Sequence, residues 1–426
     1  MSNSHKLSLQ SAILINVNIM AGAGIFVNVV DLTKALSLAS GLLYLFVGLF
    51  LFPLVFTFAQ LVKTHPSGGF YSFAQPLSPF LGFISNWTYF FGKLASASLL
   101  LYVASTFLKE LAPSLLASVD PLWISFIILA LFIYLNFLNV RTGIIIQRCF
   151  IAAKSIPMIS LIILGIYLFD VNIFTSFQAV PMSSFITMLP LVLYCYSGFE
   201  AACSISRNME NPEKNAPKAI FYSFFSLILI YVAFQTLVAM MLLPNIASLS
   251  AYTQAYPYIT SLIPTSPWIQ TKLVTIISFL IGFSAMGATY GLLFSNSWNL
   301  YTLAQNRHIF GADKISCLNQ HGIPTFAVLV EGIICVFFLL VTNGNKIQLM
   351  QTAALGCTIT YTISTIAFLH LKKWSSLTGF LSLVTCSGFI VSCIISSIQY
   401  NFVSLNLFAL MFALGLIMYY HCEKRR

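Results

Sequence analysis

Met20-Ala21-Gly22-Ala23-Gly24-Ile25-Phe26 lies in the middle of an apolar run at 11–34, and Tyr194-Cys195-Tyr196-Ser197-Gly198-Phe199-Glu200 lies midway through another at 183–206. Each glycine weakens a helix by roughly 1 kcal/mol relative to alanine. Glu200 adds a charge to a segment that is otherwise apolar. Inside a bilayer, unwound backbone persists only where it lines a cavity or is buried in protein. Small residues also serve close packing of helices, so the first stretch taken alone supports either a break or a contact.

Working outward, further apolar segments fall at 41–62, 80–108, 121–139, 144–169, 219–243, 272–300, 325–342, 347–371, 377–399 and 402–421, which makes twelve spans. The runs are continuous rather than alternating, which excludes a β-barrel. The chain of 426 residues is 59% hydrophobic and only 7% charged, against about 25% charged in a soluble protein. Such a chain cannot cover a water-facing surface, so soluble enzymes, DNA-binding proteins and disordered scaffolds are excluded. If the first ten spans form two repeats of five, spans 1 and 6 hold corresponding places. Interrupted segments at corresponding places are the best sequence pointer to a transporter's binding site.

The net charge of +10 is explained by topology rather than by a polyanionic partner. With the N-terminus inside, the inner connections carry Lys6, Lys63, Arg141, Arg148, Arg207, Lys214, Lys218, Arg307, Lys314, Lys372, Lys373, Lys424, Arg425 and Arg426; the outer ones carry Lys34, Lys109, Lys272 and Lys346. This asymmetry places both termini in the cytoplasm. All six histidines, beginning with His5, fall at the same inner face, which leaves none at mid-membrane as a proton relay. No basic run interleaved with aromatics points to nucleic acid. The nine cysteines contain no CxxC pair and read as small apolar residues, not as a metal site. No phosphate-binding glycine loop and no cofactor motif is present. Ala21-Gly22-Ala23 has the small-residue pattern of a signal cleavage site, but Asn16 and Asn18 interrupt the apolar stretch before it, so span 1 is expected to be retained.

A broken span suits one ligand class especially well. Free N–H groups at a half-helix N-terminus attract a carboxylate, and unwound carbonyls at a C-terminal end attract an ammonium. An amino acid carries both.

These stretches, with others in order along the chain, carry a resemblance. Ala21–Phe26, the loop Pro66-Ser67-Gly68-Gly69-Phe70-Tyr71 with Gly82-Phe83 and Trp87, and Asn139 with Gly143 are similar to motifs of the amino acid–polyamine–organocation (APC) superfamily. So are Gly198-Phe199-Glu200, Asn211-Pro212, Pro217-Lys218-Ala219-Ile220, Leu303-Ala304 and Gly322-Ile323-Pro324. The resemblance implies an all-α integral membrane protein of twelve transmembrane helices with the LeuT-type 5+5 inverted repeat. The repeats are expected at 11–169 and 183–371, helices 1 and 6 broken, with two additional helices at 377–421.

It also implies site roles. Backbone of Ala21, Gly22, Ala23, Gly24 and Ile25 binds the substrate carboxylate, and carbonyls near Tyr194, Tyr196, Ser197 and Gly198 take the ammonium. Tyr194 and Tyr196 stand where relatives place aromatic gates; the alternative is that they only pack. Glu200 is expected to fix the break through backbone hydrogen bonds.

Lys154, in Ala152-Ala153-Lys154-Ser155-Ile156-Pro157, matches a lysine of sodium-independent members whose ammonium resembles a built-in replacement for a sodium ion. It could also carry a coupled proton, or it could snorkel to the inner interface, about 9 Å of helix rise from Arg148. Lys93 departs from the family pattern: it either lines the cavity and disfavours cationic substrates, or pairs with Glu200, another acid or chloride. Glu331 reads as a structural acid. The expected function is sodium-independent amino acid transport across the cytoplasmic membrane, by proton symport or by exchange with a counter-substrate, with neutral or acidic amino acids favoured. No covalent step is implied. The alternative is an amino-acid sensor that binds without transport.

Overall fold

The computed structural model describes residues 6–66, 69–111, 116, 118–138, 140–170, 180–400 and 402–424, with 140–144 described by backbone alone. His5, Ser67, Gly68, Asn139, Arg425 and Arg426 lie outside the described residues, as does the side chain of Arg141. The helices are α1 (Leu9–Met20), α2 (Gly24–Val27), α3 (Val29–Leu36), α4 (Ala39–Thr64), α5 (Phe70–Ala74), α6 (Pro79–Leu111), α7 (Pro121–Asn136), α8 (Val140–Tyr167) and α9 (Met182–Tyr196). They continue with α10 (Ala201–Ile205), α11 (Pro212–Leu242), α12 (Ala255–Ser261), α13 (Pro267–Gln305), α14 (Ala312–Ile315), α15 (Thr325–Thr342), α16 (Lys346–Leu371), α17 (Leu377–Tyr400) and α18 (Val403–Lys424). No strand occurs among the described residues, where one isolated bridge joins Leu7 to Met209.

Eleven helical stretches among the described residues are long and apolar enough to cross a membrane. The expected fourth span is the exception. It forms α7, an apolar helix of 16 residues, about 24 Å long against a hydrocarbon core of about 30 Å. The Asp120 carboxylate accepts the Leu122 N–H at 2.8 Å and Pro121 takes the first turn, which fixes where α7 begins. The seventh span opens earlier than its apolar run, at Pro212, so Lys214 and Lys218 ride on the first turns of α11. Two short helices, α5 and α12, occupy stretches that read as connections because each is too brief to show a period.

The centre of the bundle is α6, apolar around its whole circumference and buried on every side from Gly82 to Leu101. It packs chiefly against α13 and α16. The outer helices each present one apolar face outward, including Phe46, Leu49, Ile159, Ile163 and Val384. Such a surface is stable against lipid tails, which are as apolar as leucine.

The two glycine-bearing stretches break as their sequences suggest. α1 stops at Met20, Ala21 leaves the helical region, and the Gly22 N–H turns back to the Met20 carbonyl at 2.7 Å. Helix resumes at Gly24. α9 stops at Tyr196, Ser197 is extended and Gly198 has φ +129°, a conformation that needs glycine. A Cβ on Gly198 would stand 2.8 Å from Ile19 Cγ2 and 3.2 Å from the Met20 nitrogen. The two breaks therefore lie against each other, far apart in sequence and touching in space.

Candidate functional site

Buried polar side chains hold the breaks open and in register. Asn16 Nδ2 donates to the Phe199 carbonyl at 2.9 Å, and Asn28 Nδ2 donates to the Leu191 carbonyl at 3.1 Å, so α1 and the α2–α3 stretch are each tied to the opposite broken segment. Tyr231 of α11 bridges both: its hydroxyl lies 2.8 Å from the Met20 carbonyl and 3.2 Å from the Cys195 carbonyl. Of these acceptors, the Cys195 carbonyl in the last turn of α9 is one that a helix end leaves unpaired. On the other side of the first break, the N–H groups of Ala23, Gly24 and Ile25 donate to no acceptor among the described residues. Donors of this kind at a helix start form a site for an anion.

A small cavity lies at this junction, lined among others by Gly22, Gly24, Ser96, Tyr194, Cys195 and Ser197. The space free to the centre of a water molecule is about 10 Å³, enough for one water and too little for an amino acid. The bundle is closed around the site, so entry of any larger ligand requires the breaks to move apart.

Of the two tyrosines, Tyr194 lines the cavity beside Gly24 and accepts a hydrogen bond from Ser96 Oγ at 3.1 Å. Tyr196 does not reach it. Its hydroxyl donates to the Tyr44 carbonyl at 2.9 Å and its ring packs among Tyr44, Phe224 and Tyr231. The Tyr196 side chain therefore packs, as in the alternative reading, on the face turned away from the cavity, while its backbone carbonyl stands at the last position of α9.

Lys154 is 2% exposed. Its ammonium donates to the Asn18 carbonyl at 2.7 Å and to the Ala21 carbonyl at 2.8 Å, so it does not snorkel to an interface. A cation at the C-terminal end of α1 also meets the negative end of that helix dipole. Asn18 continues the cluster, donating to the Gly287 carbonyl at 3.0 Å and to Gln147 Oε1.

Lys93 is paired rather than free. Its Nζ lies 2.7 Å from Glu200 Oε1, with the two side chains 2% and 0% exposed, and donates to Ser197 Oγ at 2.6 Å. The Tyr89 ring lies 5.1 Å from the same nitrogen. Glu200 Oε2 accepts the Gly198 N–H at 2.9 Å, which places the carboxylate as a clasp on the second break. Lys93 thus reaches the cavity wall only through Ser197. Glu331 is fully buried on α15, with the Asn296 side chain beside its carboxyl group.

Sequence reasoning missed Asn28, Ser96 and Tyr231, and treated Asn16 and Asn18 only as interruptions of an apolar run. The asparagines were detectable, because polar amides deep in a span require partners. Tyr231 carried no such signal; it is one aromatic among many in its segment.

Gly24 is the tightest point of the first break. A Cβ there would lie 2.9 Å from Tyr194 Cε1 and 3.2 Å from Cys195 Sγ, whereas at Gly22 the nearest atom is Ala288 Cβ at 3.2 Å. Gly24→Leu is therefore expected to abolish ligand binding while the protein remains in the membrane, and Gly22→Ala to have a much smaller effect. Equilibrium binding to the purified variants tests this; unchanged affinity in Gly24→Leu removes the break from the site.

Known proteins resemble this chain over most of its length. The serine permease SerP1 of Lactococcus lactis is 24% identical over 340 residues, covering 74% of this chain and 72% of the relative. The amino-acid permease AapA of Bacillus subtilis is 24% identical over 312 residues, covering 68% and 63%. The aromatic amino acid permease FywP of Lactococcus lactis is 23% identical, covering 77% and 74%. The pattern of the amino acid permease family matches residues 7–420, a stretch that includes both breaks and both buried lysines. With that match across nearly its whole length, the chain belongs to the amino acid permease family.

Proposed function

We propose that this protein is a secondary transporter of neutral amino acids in the cell membrane, with both termini cytoplasmic, working without sodium by proton symport or amino acid exchange. Two five-helix repeats, 11–169 and 183–371, alternate around the site, and 377–421 packs outside them. The observation that carries this reading is the facing pair of breaks, with the N–H groups of Ala23, Gly24 and Ile25 unclaimed and Tyr194 and Ser197 on the opposite wall. The carboxylate of the substrate binds those N–H groups. Its ammonium faces the carbonyl end of α9, where Tyr196 and Ser197 end the helix.

Side-chain preference follows from the charges near the cavity. A free Lys93 ammonium would favour acidic substrates, but Glu200 neutralises it. What remains is a wall of Ser96, Leu100, Tyr194 and Leu292 with no unpaired charge, which suits a neutral side chain. Lys154 occupies the place of a coupling cation, held by the carbonyls that an ion would otherwise use.

A counterflow screen in proteoliposomes over the proteinogenic amino acids and common amines, with and without a pH gradient, tests the proposal. One or a few neutral amino acids are expected to exchange saturably, with no requirement for sodium. Saturable binding without accumulation would mark a sensor instead.

A further inference from the structure

In the sequence, Arg207 counts only as one of the inner positive charges. It lies in the 3-10 turn Ser206–Asn208, directly after α10. Seven residues separate it from Glu200, about 10 Å of helix rise beyond the cavity. Its guanidinium has a defined seat: one nitrogen donates to Thr302 Oγ1 at 2.8 Å, and the group lies 5.8 Å from the Trp298 ring and 5.7 Å from the Tyr301 ring. It forms no ion pair among the described residues. Among the described residues its buried Nε has no acceptor, and neither does the buried Trp298 Nε1.

The same guanidinium opens on a pocket of about 370 Å³, lined also by Tyr71, Ser72, Gln75, Thr302 and Gln305, within the size range of small-ligand sites. The lining contains no acidic residue and a single cation. Arginine presents donors in a planar fork that matches a carboxylate. One positive charge without further cations suits a monoanion better than a phosphate dianion. The pocket lies at the end of the bundle where Leu7, before α1, pairs with the Asn208–Glu210 strand of chain, with Leu7 N–H donating to the Asn208 carbonyl at 2.7 Å. Arg207 is thus one residue from the contact that ties the segment before α1 to this end of the bundle.

We infer that the pocket around Arg207 is a second, cytoplasmic-side subsite that takes the α-carboxylate of an amino acid on its way between the central cavity and the cell interior. This assignment rests on the transport reading above, and two measurements separate the fates of the two.

The first needs no transport. The difference in emission between the purified protein and its Trp298→Phe variant isolates the tryptophan on which the guanidinium rests. Titration with acetate and glycine is expected to change that signal in the parent and not in Arg207→Gln, while glycine methyl ester leaves it unchanged. The second is counterflow of the amino acid found by the screen, in right-side-out and inside-out vesicles. Half-saturation at the cytoplasmic face is expected to rise about tenfold or more in Arg207→Gln, the cost of a lost charged hydrogen bond. The outer face stays near the parent value, and Arg207→Lys recovers part of the loss.

An emission signal that responds to inorganic phosphate and not to acetate or glycine overturns the carboxylate assignment, as does one that responds to none of them. An equal rise at both faces also overturns it, because that marks a purely structural arginine. A carboxylate response in a protein that accumulates no amino acid keeps the subsite and removes transport. Accumulation with no carboxylate response does the reverse.

Discussion

Lys93→Met is expected to lose about 3–5 kcal/mol of stability, because it strands the Glu200 carboxylate in a fully buried position without its partner. The loss is local in origin and global in effect. Lys93 also holds Ser197 Oγ, and Glu200 holds the Gly198 N–H, so the pair fixes the geometry of the second break from both sides. Transport of every substrate should therefore fall together, with no gain for arginine or lysine. Glu200→Gln keeps an acceptor for the Gly198 N–H but leaves the ammonium unpaired, and should be comparably unstable.

The double variant Lys93→Met/Glu200→Met separates the two contributions. Replacing both members of a buried pair by apolar groups of similar size is often neutral or stabilising, so its thermal stability should recover toward the parent. Its transport should not, since the Gly198 N–H has lost its acceptor. Thermal unfolding in detergent and counterflow measured on the same preparations decide the matter. Selective uptake of cationic amino acids by Lys93→Met, with stability intact, would show that the lysine acts as a charge filter and not as a clasp.

Lys154→Ala is the second large effect. It removes the shared donor of the Asn18 and Ala21 carbonyls and leaves a void beside the first break. Unsatisfied buried acceptors cost about 1–3 kcal/mol each. Beyond that loss, uptake driven by a pH gradient should disappear, while counterflow, which requires no net proton movement, persists at a reduced rate. Lys154→Gln distinguishes structure from coupling: an amide still donates to the two carbonyls, so stability is expected to recover in part, but no proton can be loaded. Proton-driven accumulation by Lys154→Gln would exclude the ammonium as the carrier. Wild-type uptake should be indifferent to replacement of sodium by potassium.

Much of this architecture is legible in the chain itself. Scarcity of charge and the length of the apolar runs are local properties, and in a bilayer they suffice to mark the spans, since every backbone polar group must be satisfied within its own helix. The breaks at Gly22–Gly24 and Ser197–Gly198 are legible for a similar reason: glycines and a buried acid interrupt the only pattern that lipid tolerates. The weak point of the reading was length. The fourth apolar run extends to residue 139, yet its helix ends at Asn136, because hydropathy does not register where helical hydrogen bonding stops.

The tertiary structure decided which way the side chains turn and what they meet. Tyr194 and Tyr196 are two positions apart on one helix and so point about 200° away from each other. Only one of them could line a single cavity; packing against Tyr44, Phe224 and Tyr231 assigned the inward-turned role away from Tyr196. The partner of Lys93 could not be read from its own apolar segment, the third span, in which no acid lies nearby. Glu200 reaches it only because the second break brings that residue against Lys93 of α6. Lys154, equally ambiguous between interface and interior, was placed by the carbonyls that the end of α1 leaves exposed. The sequence by itself determined a polytopic bundle with two broken spans, because bilayer burial acts on each span separately. Which buried charges neutralise each other, and which atoms remain free for a ligand, depended on the meeting of distant segments, and only the folded bundle settles that.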